Sequence, residues 1–198
     1  RSWGALMTGV SARLIDILLS AAERRGLDPV PWQRGLGISP EMRRHAFART
    51  EWDVVAALCD AIVDELGSDE AAIDFGESIA PSESMSVFRM IGRAITDPVD
   101  MYAVGARWLG PSLLPMIQGS VEALPNGEIV ERLRLLDGHR ECRAMMLMLC
   151  GFFRASPTVW GSPRAEVRIE IVPGGADYYI RAPRRRCLLY TSPSPRDS

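Results

Sequence analysis

The chain has 198 residues, of which 47% are hydrophobic and 24% charged, with a net charge of −2 and a pI near 5.8. That balance suits one globular domain, or two small subdomains sharing a core, and excludes a wholly disordered chain. It also sets the chain apart from nucleic-acid-binding modules, which carry a basic excess; the one basic run, Arg181 to Arg186, reads as a solvated linker.

All 23 basic residues are Arg and the sole Asn is Asn126, the codon signature of a GC-rich bacterial genome. No segment approaches the roughly 20 apolar residues of a membrane helix. Arg13 and Asp16 interrupt the first apolar stretch, so it is not a secretory signal core. The expectation is a cytoplasmic protein whose Cys59, Cys142, Cys150 and Cys187 are reduced thiols.

In chain order, residues 1–10 read as an upstream extension or disordered start, with Met7 as a natural first residue. Ser11 caps a helix whose Leu14, Ile15, Leu18, Leu19 and Ala22 share a face, and Gly26 ends it. Asp28-Pro29 and Ser39-Pro40-Glu41 each open a short helix, a cap followed by Pro at the first helical position. Thr50 is expected to cap a longer helix, with Trp52, Val55, Leu58, Cys59, Ile62 and Leu66 as its apolar stripe and Gly67 as its stop. Asp69 to about Ile79 continues helical, and Pro81 breaks it. Ser84 restarts a helix with Val87, Met90, Ile91 and Ile95 inward, and Asp97-Pro98 starts one ending near Gly110-Pro111.

The period then changes from helical to alternating. Leu114 to Leu124 is extended, and Asn126-Gly127 signals a two-residue type I′ hairpin. Ile129, Glu131, Leu133 and Leu135 alternate with Val130, Arg132 and Arg134 in the return strand, closed by Asp137-Gly138. His139 to about Ser156 reads as a Met-rich helix stopped by Pro157. Val167, Ile169 and Ile171 alternate with charged residues, Pro173-Gly174-Gly175 turns the chain, and Tyr178 and Ile180 belong to a last strand. The fold class is therefore α+β. A helical half, 11–111, precedes an antiparallel β-β-α-β-β unit, 112–183, with its helix packed on one sheet face. Residues 184–198 read as a linker stub plus a non-native tail, 187–198, which resembles a translated sequencing adapter.

Motifs of catalysis are missing. There is no nucleophile elbow, no H-E-x-x-H, no phosphate-binding Gly loop and no dinucleotide fingerprint. Gly161-Ser162-Pro163 lacks the second Gly of an elbow and reads as a loop. No metal site is expected. His139, Cys142 and Cys150 lie on the one expected helix; the first and last are about 16 Å apart along its axis, too far for one zinc ion. Met145 to Leu149 reads as core filling. Arg107 and Trp108 stand where the helical half hands over to the sheet, the kind of seam that favours pockets. They are the candidate ligand-binding residues, with Trp108 as an apolar wall and Arg107 as a charge for an anionic group; plain core is the other reading of Trp108.

The order of elements, with Ser11-Ala-Arg-Leu-Ile, Arg25-Gly-Leu-Asp-Pro29, Ala103 to Pro111 and Gly175 to Arg181, resembles the amino-terminal input domains of bacterial sensor histidine kinases. It is more distantly similar to the ligand-binding amino-terminal domain of AraC-type transcription regulators. In layout it is also similar to haem-based nitric-oxide-binding domains, whose Tyr-x-Ser-x-Arg motif is absent here. The resemblance implies a sensory input domain whose state passes through a linker after Pro183 to a kinase module, or to helix-turn-helix motifs in the regulator reading. The missing catalytic and haem motifs make it an expected non-enzyme without cofactor. Its partners would be an unidentified small molecule and an output domain joined after Pro183, with homodimerisation as a further expectation and no nucleic-acid or membrane contact. A stand-alone enzyme or small-molecule carrier is the reading from another class.

Overall fold

The computed structural model describes residues 9–45, 48–82, 85–86, 90 and 97–183. The expectations for the chain start, for residues 184–198 and for the helix restarting at Ser84 lie outside them, wholly or in large part.

The helical half opens with β1 (Val10–Ser11), paired antiparallel with β2 (Arg49–Thr50). Ser11 then caps α1 (Ala12–Arg24), its hydroxyl accepting from the Arg13 N–H at 3.3 Å. The expected apolar face of α1 is buried throughout. α3 (Pro40–Arg44) starts on Pro40 behind the Ser39 cap as expected, whereas in α2 (Val30–Gly35) Pro29 takes the cap position itself and the Asp28 carboxylate accepts from the Val30 N–H at 3.0 Å. Arg43 clamps α3 onto α1 through Asp16 and Glu23, each at 3.0 Å. Thr50 is not the cap of α4 (Trp52–Leu66). It pairs with Val10 in the small sheet, and Glu51 occupies the cap position. Gly67 ends α4 with φ 77°, and Ser68 caps α5 (Asp69–Glu77).

Asp97 caps α6 (Pro98–Val104), its carboxylate accepting from the Val99 N–H at 2.7 Å. The helix does not stop at Gly110-Pro111. It widens into a π turn, Gly105–Leu109, and continues as α7 (Gly110–Leu113). Pro111 lacks an N–H and its ring crowds the carbonyl four residues back; a widened turn just before it accommodates both.

Four antiparallel strands follow: β3 (Ile117–Ala123), β4 (Ile129–Leu135), β5 (Glu166–Val172) and β6 (Gly175–Arg181), in the order β3-β4-β6-β5. The β3–β4 turn is not the two-residue type. The Gly127 N–H donates to Leu124 O at 2.9 Å, so Pro125 and Asn126 are the central residues and Gly127 follows with φ 83°. Between the hairpins, α8 (Arg143–Ala155) begins four residues later than His139, capped by the Cys142 sulfur, which accepts from the Met145 N–H at 3.4 Å. A 3₁₀ turn, Ser156–Trp160, follows it. No helix among the described residues is long and apolar enough to cross a membrane.

α8 belongs to the sheet half in sequence, yet it packs on α5 and α4 as well as on β5 and β6, and one apolar core runs through both halves. Its approach to α5 is backbone against backbone. A Cβ added at Gly151 would lie 1.7 Å from Ile73 O, and one at Gly76 would lie 1.9 Å from Met148 O. Two buried phenols also donate to carbonyls of α8, Tyr102 to Phe153 O and Tyr178 to Met146 O, each at 3.0 Å. Phe153 packs edge-on against both rings, with centroids 6.0 and 4.8 Å away. At the other end the Trp52 indole N–H donates to Arg140 O at 2.7 Å.

Gly151→Ala is expected to lower stability by about 3 kcal/mol or more, because the obstructing atoms are backbone and cannot rotate away. In thermal unfolding that is a fall of roughly 6–12 °C for a domain of this size. Gly35→Ala, where the new Cβ meets nothing within 4 Å, is the control and leaves the midpoint unchanged or slightly raised.

Candidate functional site

The seam between the helical half and the sheet holds a cavity of ≈ 110 Å³. Its space comes from small residues. The π turn and the start of α7 present Gly105, Ala106 and Gly110, and β3 presents Gly119. At Gly119 a Cβ would come within 3.2 Å of both Ala106 Cβ and Leu133 Cδ2, so this wall is already at contact distance. Leu14, Ile17 and Leu18 of α1 close the helical side, and Met101 and Tyr102 of α6 stand beside them. Met145, Met148 and Phe152 of α8 close the third side. Such an apolar cleft bounded by several elements is the common form of a small-molecule site.

Polar groups in the described lining are few. The Tyr102 hydroxyl donates to Phe153 O and the Ser156 hydroxyl donates to Phe152 O at 2.7 Å, so both protons are engaged. Glu131 is different. It lies in the middle of β4, paired with Val121 of β3 and Tyr178 of β6, and is 2% exposed. Its Oε2 is buried with no hydrogen-bond partner. Burial pushes the Glu131 carboxyl from 4.5 up to about 8, so near neutrality it is mostly a neutral acid. Among the described residues, the ionisable groups facing it are the phenols of Tyr102 and Tyr178. Both are held well above their ordinary range, first by burial and then by any charge on Glu131. Sequence reasoning placed Glu131 in phase with Ile129 and Leu133 but did not single it out. That phase, a carboxyl on the inward face of a central strand, was the available signal.

Arg107 and Trp108 lie at the expected seam, on the π turn between the cavity-lining Ala106 and Leu109. Their side chains face away from the cavity. Trp108 is 68% exposed, and the Arg107 guanidinium lies 5.9 Å from its ring centroid. The plain-core reading of Trp108 does not hold. His45 and His139 are exposed and neither lines the cavity. His139 precedes α8 and Cys142 caps it, so His139, Cys142 and Cys150 do not share one helix as expected. Among the described residues no three metal-ligating side chains cluster. Cys59 and Cys142 are buried in contact with each other, away from the cavity, and that contact raises the Cys59 thiol.

No family model matches the chain, and no curated protein matches it. Solved structures do. An Fe(II) unliganded H-NOX protein from K. algicida aligns with a TM-score of 0.61 at 13% identity, covering 88% of this chain and 97% of that one. A point mutant of that protein aligns with a TM-score of 0.61 at 14% identity, covering 89% and 97%. An H-NOX protein from S. oneidensis in the Fe(II)NO ligation state aligns at 0.58 and 10% identity, covering 85% and 99%. At these identities the likeness is one of fold. It corrects the resemblance to histidine-kinase input domains and AraC-type regulators: the chain's structural neighbours are H-NOX proteins, in keeping with the layout noted above. The turn and apolar motifs behind the overturned resemblance mark helix ends, which any helical half possesses, whereas element packing is what distinguishes folds.

The fold thereby raises haem, and the described cavity wall does not fit it. Haem iron takes an imidazole, a thiolate, a phenolate or a Met paired with His. The described lining contains no His and no Cys, and its one phenol is held neutral and donates to Phe153 O. No Arg of the described lining faces the propionates, while Glu131 adds an acid to the wall.

Glu131 also makes stability depend on pH. Its folded value, about 8, exceeds the unfolded one, so the native state holds the extra proton between about pH 4.5 and 8. The favourable contribution is complete below about pH 4.5 and is lost as pH rises through 8. The full difference is roughly 5 kcal/mol. Urea unfolding of wild type and Glu131→Gln across pH 4–9 is expected to show the wild type losing several kcal/mol relative to the variant. Parallel curves would show that the carboxyl is solvated.

Proposed function

We propose that this domain is a non-enzymatic sensory domain of a signalling protein, with its small-molecule ligand bound in the seam cavity. The observation that carries the reading is the cavity's position. Its walls come from α1 and α6 on one side and from β3 and β4 on the other, with a third side closed by α8, which packs on α4 and α5 and on β5 and β6. A ligand there contacts both halves at once. If it favours one packing of the halves over another, its binding shifts that equilibrium, and an output domain joined after Pro183, just beyond β6, receives the change.

The fold supports this reading. Its structural neighbours include an unliganded Fe(II) form and an Fe(II)NO form, so those proteins take a small ligand. The described part of this cavity's wall supports a ligand bound by the chain's own side chains, without haem.

Dissolved xenon tests the site, since apolar cavities of this size take it up. Methyl NMR is expected to show one saturable site that shifts Leu14, Leu18 and Leu133 together, and amide exchange is expected to slow in both α1 and β4. Shifts confined to one half would break the coupling, and an absence of saturable shifts would remove the site.

Arg107 and Trp108 are tested alongside. In the cavity reading, Arg107→Ala and Trp108→Phe take up xenon as the wild type does and change stability by less than about 0.5 kcal/mol, as exposed substitutions do. A lost response in either variant would return the recognition role to that pair.

A further inference from the structure

We infer that the cavity is built for an uncharged, mostly apolar molecule of about the size of a single aromatic ring, whose one polar group hydrogen-bonds to the carboxylic acid of Glu131. The inference rests on the cavity reading and adds the chemistry of the ligand.

Size comes first. A cavity of ≈ 110 Å³ lined by Leu, Met and Phe is of the order of the ~150 Å³ engineered cavity that admits benzene. Polarity comes second. A buried carboxyl without a partner is costly, and strands retain such groups rarely. Glu131 sits in the wall on a central strand, where neither the Val121 nor the Tyr178 neighbour in register bonds to its Oε2. The two hydroxyls of the described lining, Tyr102 and Ser156, both donate to carbonyls of α8, so they cannot donate to it either. A ligand hydroxyl or amide would supply what the fold leaves out, donating to one carboxyl oxygen and accepting the acid proton.

Charge comes third. An anionic head would meet an acid with no cation in the described lining. An ammonium head would need Glu131 ionised between the Tyr102 and Tyr178 phenols, and burying such an ion pair in an apolar wall costs more desolvation than it returns unless further hydrogen bonds complete it. None is present among the described lining groups. The neutral acid, favoured by burial, therefore selects a neutral partner.

The test uses the full chain at pH 6 with four probes of one shape: phenol, toluene, benzoate and benzylamine, titrated by calorimetry and by thermal shift. Phenol is expected to bind the wild type about tenfold more tightly than toluene, the scale of one well-made buried hydrogen bond, with benzoate and benzylamine weaker still. Glu131→Leu is expected to remove or invert the phenol preference while still binding toluene. Glu131→Gln, which keeps a donor and an acceptor in place, retains the preference and guards against a folding defect in the Leu variant.

Equal binding of phenol and toluene to the wild type overturns the Glu131 inference and leaves the cavity reading standing. Tightest binding of benzylamine overturns the neutral-ligand inference in the same way. Binding of none of the four overturns the cavity reading itself. A Soret band in the purified protein that disappears in Glu131→Leu or Tyr102→Phe overturns both the neutral-ligand inference and the haem-free reading.

Discussion

The rest of this structure depends on the contact between α5 and α8, where Gly76 and Gly151 bring the two helices together backbone to backbone. No side chain separates them, so the depth of α8 in the molecule is set by main-chain atoms that cannot re-pack. From that depth its other faces follow. Met145 and Met148 reach the cavity, Tyr178 of β6 reaches Met146 O, and Tyr102 of α6 reaches Phe153 O. A helix placed farther from α5 would lose both phenol hydrogen bonds or displace the sheet.

The cavity is the counterpart of that close packing. The core is tight where Gly lets backbones meet. It is open beside the small residues of the π turn and β3, where Ala106 and Gly119 meet at contact distance and form one thin wall of the cavity. The π turn itself departs from regular helix at the wall of the cavity, and such departures are often found at functional sites. The same wall carries Glu131, which local rules would place on the solvent face of a strand. Where a sequence breaks several local rules at one place, function is the usual compensation.

The fold likeness to H-NOX proteins and the cavity chemistry therefore separate two properties that a fold name tends to merge. Both halves and their order are shared with proteins described in Fe(II) states. Among the described residues, the polar and sulfur groups that line the seam are thioethers, two hydroxyls already donating to α8 and a neutral acid. A shared fold does not carry a shared ligand, because backbone packing sets where a cavity lies and a few side chains set what it admits.

The sequence by itself determined the elements whose signals are local. Caps at Ser11, Ser39 and Asp97, stops at Gly26 and Gly67, and the alternation in β4, β5 and β6 need only a residue and its near neighbours. It also determined that a seam follows α6, since the apolar period changes there from helical to alternating. The pairing of Thr50 with Val10, the continuation of the helix past Pro111 and the strand order β3-β4-β6-β5 were decided only in three dimensions. So was the choice of which π-turn residues face inward, Gly105 and Ala106, and which face out, Arg107 and Trp108. A π turn rotates the faces away from the regular helical period, so counting along the sequence misplaces them. Glu131 shows the same division: its inward phase is written in the strand, but its isolation depends on the hydrogen bonds already made by Tyr102, Tyr178 and Ser156, groups distant in sequence that only the folded core brings together.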